Sequence, residues 1–171
     1  YNNTSGTVIL LYEGSIIDRF DYTETMHYSM LKTTEGVSLE RINHNRPTQD
    51  ASNWHSAAAT VGFATPGYKN SVFSENIDNE EIITISPEIF SPDNDGYNDI
   101  LQIKYAFANA DNRVSVDIYN IYGQKIHNLV NNELCGTEGY FTWDGTIENN
   151  VKTSIGNYII IISYWDTAGK V

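Results

Sequence analysis

The sequence has little cysteine: Cys135 is the only one in 171 residues. One thiol closes no internal disulfide and indicates no redox compartment. Positive charge is scarce too, with 10 Lys and Arg against 22 Asp and Glu and a formal net charge of −12. A chain this acidic is repelled by phosphates, which argues against a nucleic-acid partner. Long apolar runs are also missing. The longest is Tyr158–Trp165 (YIIIISYW), well short of the ~20 residues a membrane helix needs, so no membrane span is expected. Heptads, solenoid repeats and low-complexity tracts are lacking. No signal peptide opens the chain and Tyr1 is not a start residue, so the chain reads as a processed or cloned fragment.

The usual signatures of chemistry are equally sparse. His27, His44, His55 and His127 include no pair at the i, i+4 spacing of a helical metal site, and no Cys-x-x-Cys completes a zinc site. Asp50, His55 and Ser56 supply the residue types of a hydrolytic triad, but no Gly-x-Ser-x-Gly elbow presents the serine. Cys135 has no His or Arg near it in sequence to lower its pKa, so it reads as a small apolar residue rather than a nucleophile. No catalytic residue and no enzyme activity are expected.

What is present is β-structure. Hydrophobic residues make up 40% of the chain, enough for a packed core. Thr7–Tyr12 and Ile16–Tyr22, separated by Glu13-Gly14-Ser15, read as a hairpin. Val37–Ile42 alternates weakly, as an edge strand would, and Ser56–Thr60 could form one helical turn. From Ile82 onward the pattern sharpens. Ile82–Ile85 is a strand ending before Pro87. Leu101–Phe107 and Val114–Ile118 alternate apolar and polar, Lys125–Val130 follows a turn at Tyr122-Gly123-Gln124, and Phe141 and Trp143 precede the turn dipeptide Asp144-Gly145. Asn157–Trp165 is apolar on both faces, as a central sandwich strand would be. Such spacing without a helical period predicts an all-β fold of antiparallel sandwiches. The expected core of the second half is Leu101, Ile103, Tyr105, Phe107, Val114, Val116, Ile118, Trp143, Tyr158, Ile160 and Ile162.

Charge divides the chain unevenly. Residues 1–72 carry a net of −2 and residues 73–171 a net of −10. Between Glu75 and Asp99 stand eight acids and no Lys or Arg. The expected organisation is a first module at 1–72, an acidic linker at 73–81 and a second module at 82–171. Within the acidic stretch, Ser91–Asp99 (SPDNDGYND) admits two readings. One is a polar loop whose Asp and Asn side chains bond their own backbone and hold the start of the next strand. The other is a hard-cation site, Ca²⁺ above all, on Asp93, Asp95 and Asp99. Alternate oxygen-bearing residues and a Gly that permits a sharp turn are how short loops gather the ~6–8 oxygens Ca²⁺ takes. Asp93, Asp95 and Gly96 fit three positions of the EF-hand loop, but Ser91 and Gln102 fill its first and last, so it is not an EF-hand.

Two resemblances follow from particular segments. Glu35–Ile42 (EGVSLERI), Asn53–Ala57 (NWHSA) and Val61–Ser71 (VGFATPGYKNS) resemble the C-terminal half of a bacterial lamin-tail domain, an immunoglobulin-like β-sandwich whose opening strands this chain lacks. Phe90–Asp99 (FSPDNDGYND), Val116–Gly123 (VDIYNIYG), Phe141–Gly145 (FTWDG) and Gly156–Ile160 (GNYII) resemble the C-terminal sorting modules of surface proteins exported by type IX secretion, which are similar to the immunoglobulin-like domain of flagellar hook-capping proteins. Such modules usually end in one further basic strand, and the chain stops at Gly169-Lys170-Val171 where that strand would begin. Asp166-Thr167-Ala168 also fits an O-glycosylation pattern of the secreting bacteria, against the plainer reading of an exposed loop.

These resemblances imply two immunoglobulin-like modules in tandem, the first incomplete, from a secreted or cell-surface bacterial protein. Their implied role is non-catalytic: a spacer or interaction module followed by a domain for secretion and attachment. The implied partners are the export and attachment machinery or another surface protein. An incomplete first module would expose a strand edge along Thr7–Tyr12, Ile16–Tyr22 or Val37–Ile42, open to a missing N-terminal segment or another chain. The alternative function is a carbohydrate- or peptide-binding module, for which Tyr12, Tyr22, Tyr28 and Trp54 are the nominated aromatic cluster. Fully buried rings favour the first role, and an exposed coplanar pair the second.

Overall fold

The computed structural model describes residues 4–75 and 82–166. Most of the expected linker, residues 76–81, lies outside them, as do Thr167 and Ala168. Of the described residues 44% are in strands and 8% in short 3-10 turns. Every ladder is antiparallel, so the fold is all-β as expected.

The chain opens with a hairpin of β1 (Ser5–Tyr12) and β2 (Ser15–Thr23). Glu13 and Gly14 both take positive φ, at 48° and 80°. Two left-handed residues in a two-residue loop make the turn whose twist matches the strands it joins. The expected strand at Val37–Ile42 shortens to β3 (Leu39–Arg41), which pairs with β4 (Trp54–Ser56). The helical turn expected at Ser56–Thr60 is displaced. Ser56 belongs to β4, and the 3-10 turns fall at Ala51–Asn53, where the Asp50 side chain accepts from the Ser52 amide, and at Ala59–Val61. Glu40 is buried yet fully engaged: its carboxylate accepts from the Ser71 amide and hydroxyl, each at 2.7 Å, and from the Thr65 hydroxyl. It therefore pins the irregular 57–71 stretch beneath β3.

The second half packs two three-stranded sheets around one core. One sheet orders β5 (Ile82–Ser86), β6 (Leu101–Ala106) and β9 (Glu138–Trp143) as β5-β6-β9. The other orders β7 (Arg113–Asn120), β8 (Lys125–Leu134) and β12 (Tyr158–Trp165) as β12-β7-β8. A small ladder of β10 (Thr146–Ile147) and β11 (Val151–Lys152) closes the far end. Alternate residues of β6 and β7 face inward, so Leu101, Ile103, Tyr105, Val114 and Val116 join Phe107, Val130 and Cys135 in one cluster. Each such side chain, fully buried, contributes ~1.5–3 kcal/mol.

Two expectations about β12 are corrected. It is not a central strand: among the described residues it pairs only with β7. Its inward residues Tyr158, Ile160 and Ile162 are consequently half-buried, while Ile159 and Ile161 face solvent. The other eight expected core residues are all buried.

The two halves touch closely. Leu134, Cys135, Gly136 and Thr137 form a buried run between β8 and β9. The Thr137 amide donates to the Ser71 carbonyl at 3.0 Å, and its hydroxyl to Phe73 O at 2.8 Å. Lys69 pairs with Glu138 at 2.7 Å, an exposed ion pair worth ~0–1 kcal/mol.

Candidate functional site

Phe90–Asp99 leads into β6. Phe90 packs against the core and lies 5.4 Å from the Trp143 ring, and Trp143 is fixed by donating from Nε1 to Thr146 O at 2.7 Å. Pro92 sits over Gly145, and the Lys152 ammonium donates to Pro92 O. The loop is thus seated on the turn after β9, and Asp144 holds that turn by accepting from the Thr146 amide and hydroxyl. Those bonds keep the Asp144 carboxyl below the usual carboxylate range.

Within the loop the backbone curls around its own carboxylates. Asp99 accepts from the Asn94 amide at 2.6 Å and the Gly96 amide at 2.8 Å. Asp93 accepts from Asp95 N at 3.2 Å and from the Ser91 hydroxyl, and Asp95 accepts from Tyr97 N at 2.7 Å. Asn94, Gly96 and Asn98 take φ of 64°, 87° and 52°, the left-handed region that Gly and Asn tolerate best. The result gathers Asp93, Asp95 and Asp99 so that one carboxylate oxygen from each lies within 4.8 Å of the others. Ligands at ~2.3–2.6 Å from one Ca²⁺ stand at most ~5 Å apart, so the spacing fits one cation. Carboxylate oxygens carry two lone pairs each, and the amide bonds leave capacity for an ion. The loop thus bonds its own backbone and also brings the three carboxylates together. Of the three, Asp99 takes the leading part: it holds two amides and alone is half-buried.

The nominated aromatics do not form one platform. Tyr28 is buried and Tyr12 exposed. Trp54 is half-buried, stacked on Phe20 at 3.7 Å and donating from Nε1 to Thr48 O at 2.8 Å. It covers the base of the hairpin. The triad types stand apart as well. Asp50 accepts from Ser52 and Arg46, and Nδ1 of His55 faces the Ser56 carbonyl. The fully buried Ser56 hydroxyl accepts from Tyr28 N and lies 3.0 Å from Nδ1 of His27. Sequence reasoning missed that pairing, which joins residues 29 apart. Cys135 is fully buried, and burial pushes its thiol up to about 12.

A two-sheet β-sandwich with an ordered acidic loop at the start of its central strand β6 defines the class of the second half. Residues 83–170 match the CHU_C Type IX secretion signal domain. The match spans just over half of the chain, and the chain belongs to that family. It is the sorting region of a secreted bacterial surface protein, and its partner is the type IX secretion machinery. No curated protein and no solved structure matches the chain. No helix among the described residues is long and apolar enough to cross a membrane.

Proposed function

We propose that residues 82–171 are read by the export machinery and then attach the protein at the cell surface, while residues 1–72 serve as a non-catalytic spacer or interaction module. The family match over 83–170 carries this reading. The lamin-tail likeness of Glu35–Ile42, Asn53–Ala57 and Val61–Ser71 supports the spacer role, as does the commitment of Tyr28 and Trp54 to packing rather than to an open ligand platform. The acidic loop has a mechanical part in it. Three carboxylates within 4.8 Å repel one another until a cation such as Ca²⁺ joins them, and a bound ion would stiffen the start of β6. The test is deletion in the exported parent protein. Removing residues 82–171 should leave it inside the cell, whereas removing 1–72 should leave export intact. Export without residues 82–171 would refute the assignment.

A further inference from the structure

The hairpin offers a surface with a definite geometry. Beyond its base it carries large apolar residues exposed on both faces: Val8 to Tyr12 along β1, and Ile16 and Ile17 across the turn. A contiguous apolar patch on an acidic protein marks a contact site.

Its two edges are not equivalent. The Gln49 side chain lies along β2, where its Nε2 donates to Arg19 O at 3.0 Å and its Oε1 accepts from Asp21 N at 3.4 Å. A side-chain amide thus occupies the place a neighbouring strand would take. The same contacts fix the facing of β1. Arg19 and Asp21 turn their main-chain groups away from β1, and they stand opposite Ile9 and Thr7. Opposed residues of an antiparallel pair face the same way, so Thr7 and Ile9 turn their amides and carbonyls away from β2. Beyond the bulge at Ile17, Leu11 opposite Ile16 does the same. Among the described residues nothing pairs along that edge.

The open edge is also uncharged. β1 reads SGTVILLY, whereas β2 contains Asp18, Arg19 and Asp21. In a chain of net charge −12, most surfaces repel a second copy, and β1 set against itself brings no carboxylates face to face. The tip works against lipid, because Glu13 sits in the turn and Asp18 just behind it.

We propose that two copies of this chain pair antiparallel through β1, with Ile9 on the two-fold axis and Thr7 of each opposite Leu11 of the other. Ile9 bonds Ile9 of the partner subunit through both main-chain groups, and each Thr7–Leu11 pairing does likewise. The product is a continuous four-stranded sheet with Gln49 closing both outer edges.

Sedimentation velocity on the full chain, over a dilution series from submillimolar to nanomolar, tests it. A concentration-dependent dimer is expected. Ile9→Lys places a charge at the axis and should weaken dimerisation at least tenfold, with a circular dichroism melt like that of the parent because Ile9 is 45% exposed. Gln49→Ala should leave dimerisation intact. Ile9→Cys should yield a disulfide-linked dimer under oxidised glutathione, since bonded antiparallel partners hold Cα atoms ~5.5 Å apart, within disulfide reach. Tyr12→Cys should not link, because six residue steps put the two copies ~20 Å apart. A monomer at every concentration overturns the proposal. So does a dimer indifferent to Ile9→Lys, linking through Tyr12→Cys as readily as through Ile9→Cys, or no linking through Ile9→Cys. A monomer that pellets with phosphatidylcholine–phosphatidylglycerol vesicles assigns the ribbon to lipid and overturns it too.

Discussion

Thr137 donates to the carbonyl oxygen of Ser71 twice, from its amide at 3.0 Å and from its hydroxyl at 3.3 Å. Ser71 is itself held by Glu40, so a buried carboxylate in the first half fixes the residue on which the second half hangs. A Cβ on Gly136 would run into that same carbonyl, which is backbone and cannot step aside. Thr137→Val removes the hydroxyl bonds to Ser71 and Phe73 and should cost ~1–3 kcal/mol. Gly136→Ala should cost a similar amount through overpacking. Calorimetry should show one unfolding transition for the parent, lowered in both variants. Two separate transitions, with only one moving, would mean the contact does not couple the halves.

The core predicts unequal costs for two isoleucines. Ile103 is fully buried, so Ile103→Ala should cost ~2–5 kcal/mol. Ile160 is half-buried on β12, so Ile160→Ala should cost distinctly less. Chemical denaturation of both variants decides this. Equal losses would mean that β12 is covered on its outer side in solution.

A cation held by the acidic loop, as proposed, predicts a cation-dependent stability. Millimolar Ca²⁺ should raise the melting temperature above its value in excess chelator, and Asp99→Ala or Asp95→Ala should abolish the difference. Asp99→Ala should also lower the melting temperature in chelator, since it strips the Asn94 and Gly96 amides of their acceptor. Identical melts of the parent in both conditions would leave only a self-bonded loop.

Acidification should weaken the Ser56–His27 contact. Burial holds the His27 imidazole below its ordinary pKa of 6.5, against the opposing pull of Glu24. The unfolded chain therefore takes up a proton before the folded one does. Stability is complete above that ordinary value and is lost as pH falls from it toward the lowered folded value. His27→Gln should flatten the pH dependence of the melting temperature between about pH 7 and pH 5. An unchanged slope would remove His27 as its source.

Period-two alternation made β6 and β7 legible, because those strands bury one face and show the other to water. The hairpin was legible from Glu13-Gly14-Ser15, and the acidic loop from Asp, Asn and Gly at fixed offsets. β12 misled because an apolar run reads as central whether or not a second neighbour lies beside it. Tyr28, Ala57, Ala58 and Val72 are buried without any periodic pattern, since irregular chain buries residues by tertiary contact rather than by repeat. Glu40 and the Gln49 plug could not be foreseen, as each depends on residues about 30 positions away.

Type IX export directed by this chain is measured most directly by the surface display of a reporter carrying the whole chain at its C-terminus, in a type IX-secreting bacterium and in an isogenic strain lacking that system. The reporter should reach the surface or medium in the first strain and stay in the cell in the second. Equal retention in both strains, or equal export from both, would mean that this chain does not direct type IX export.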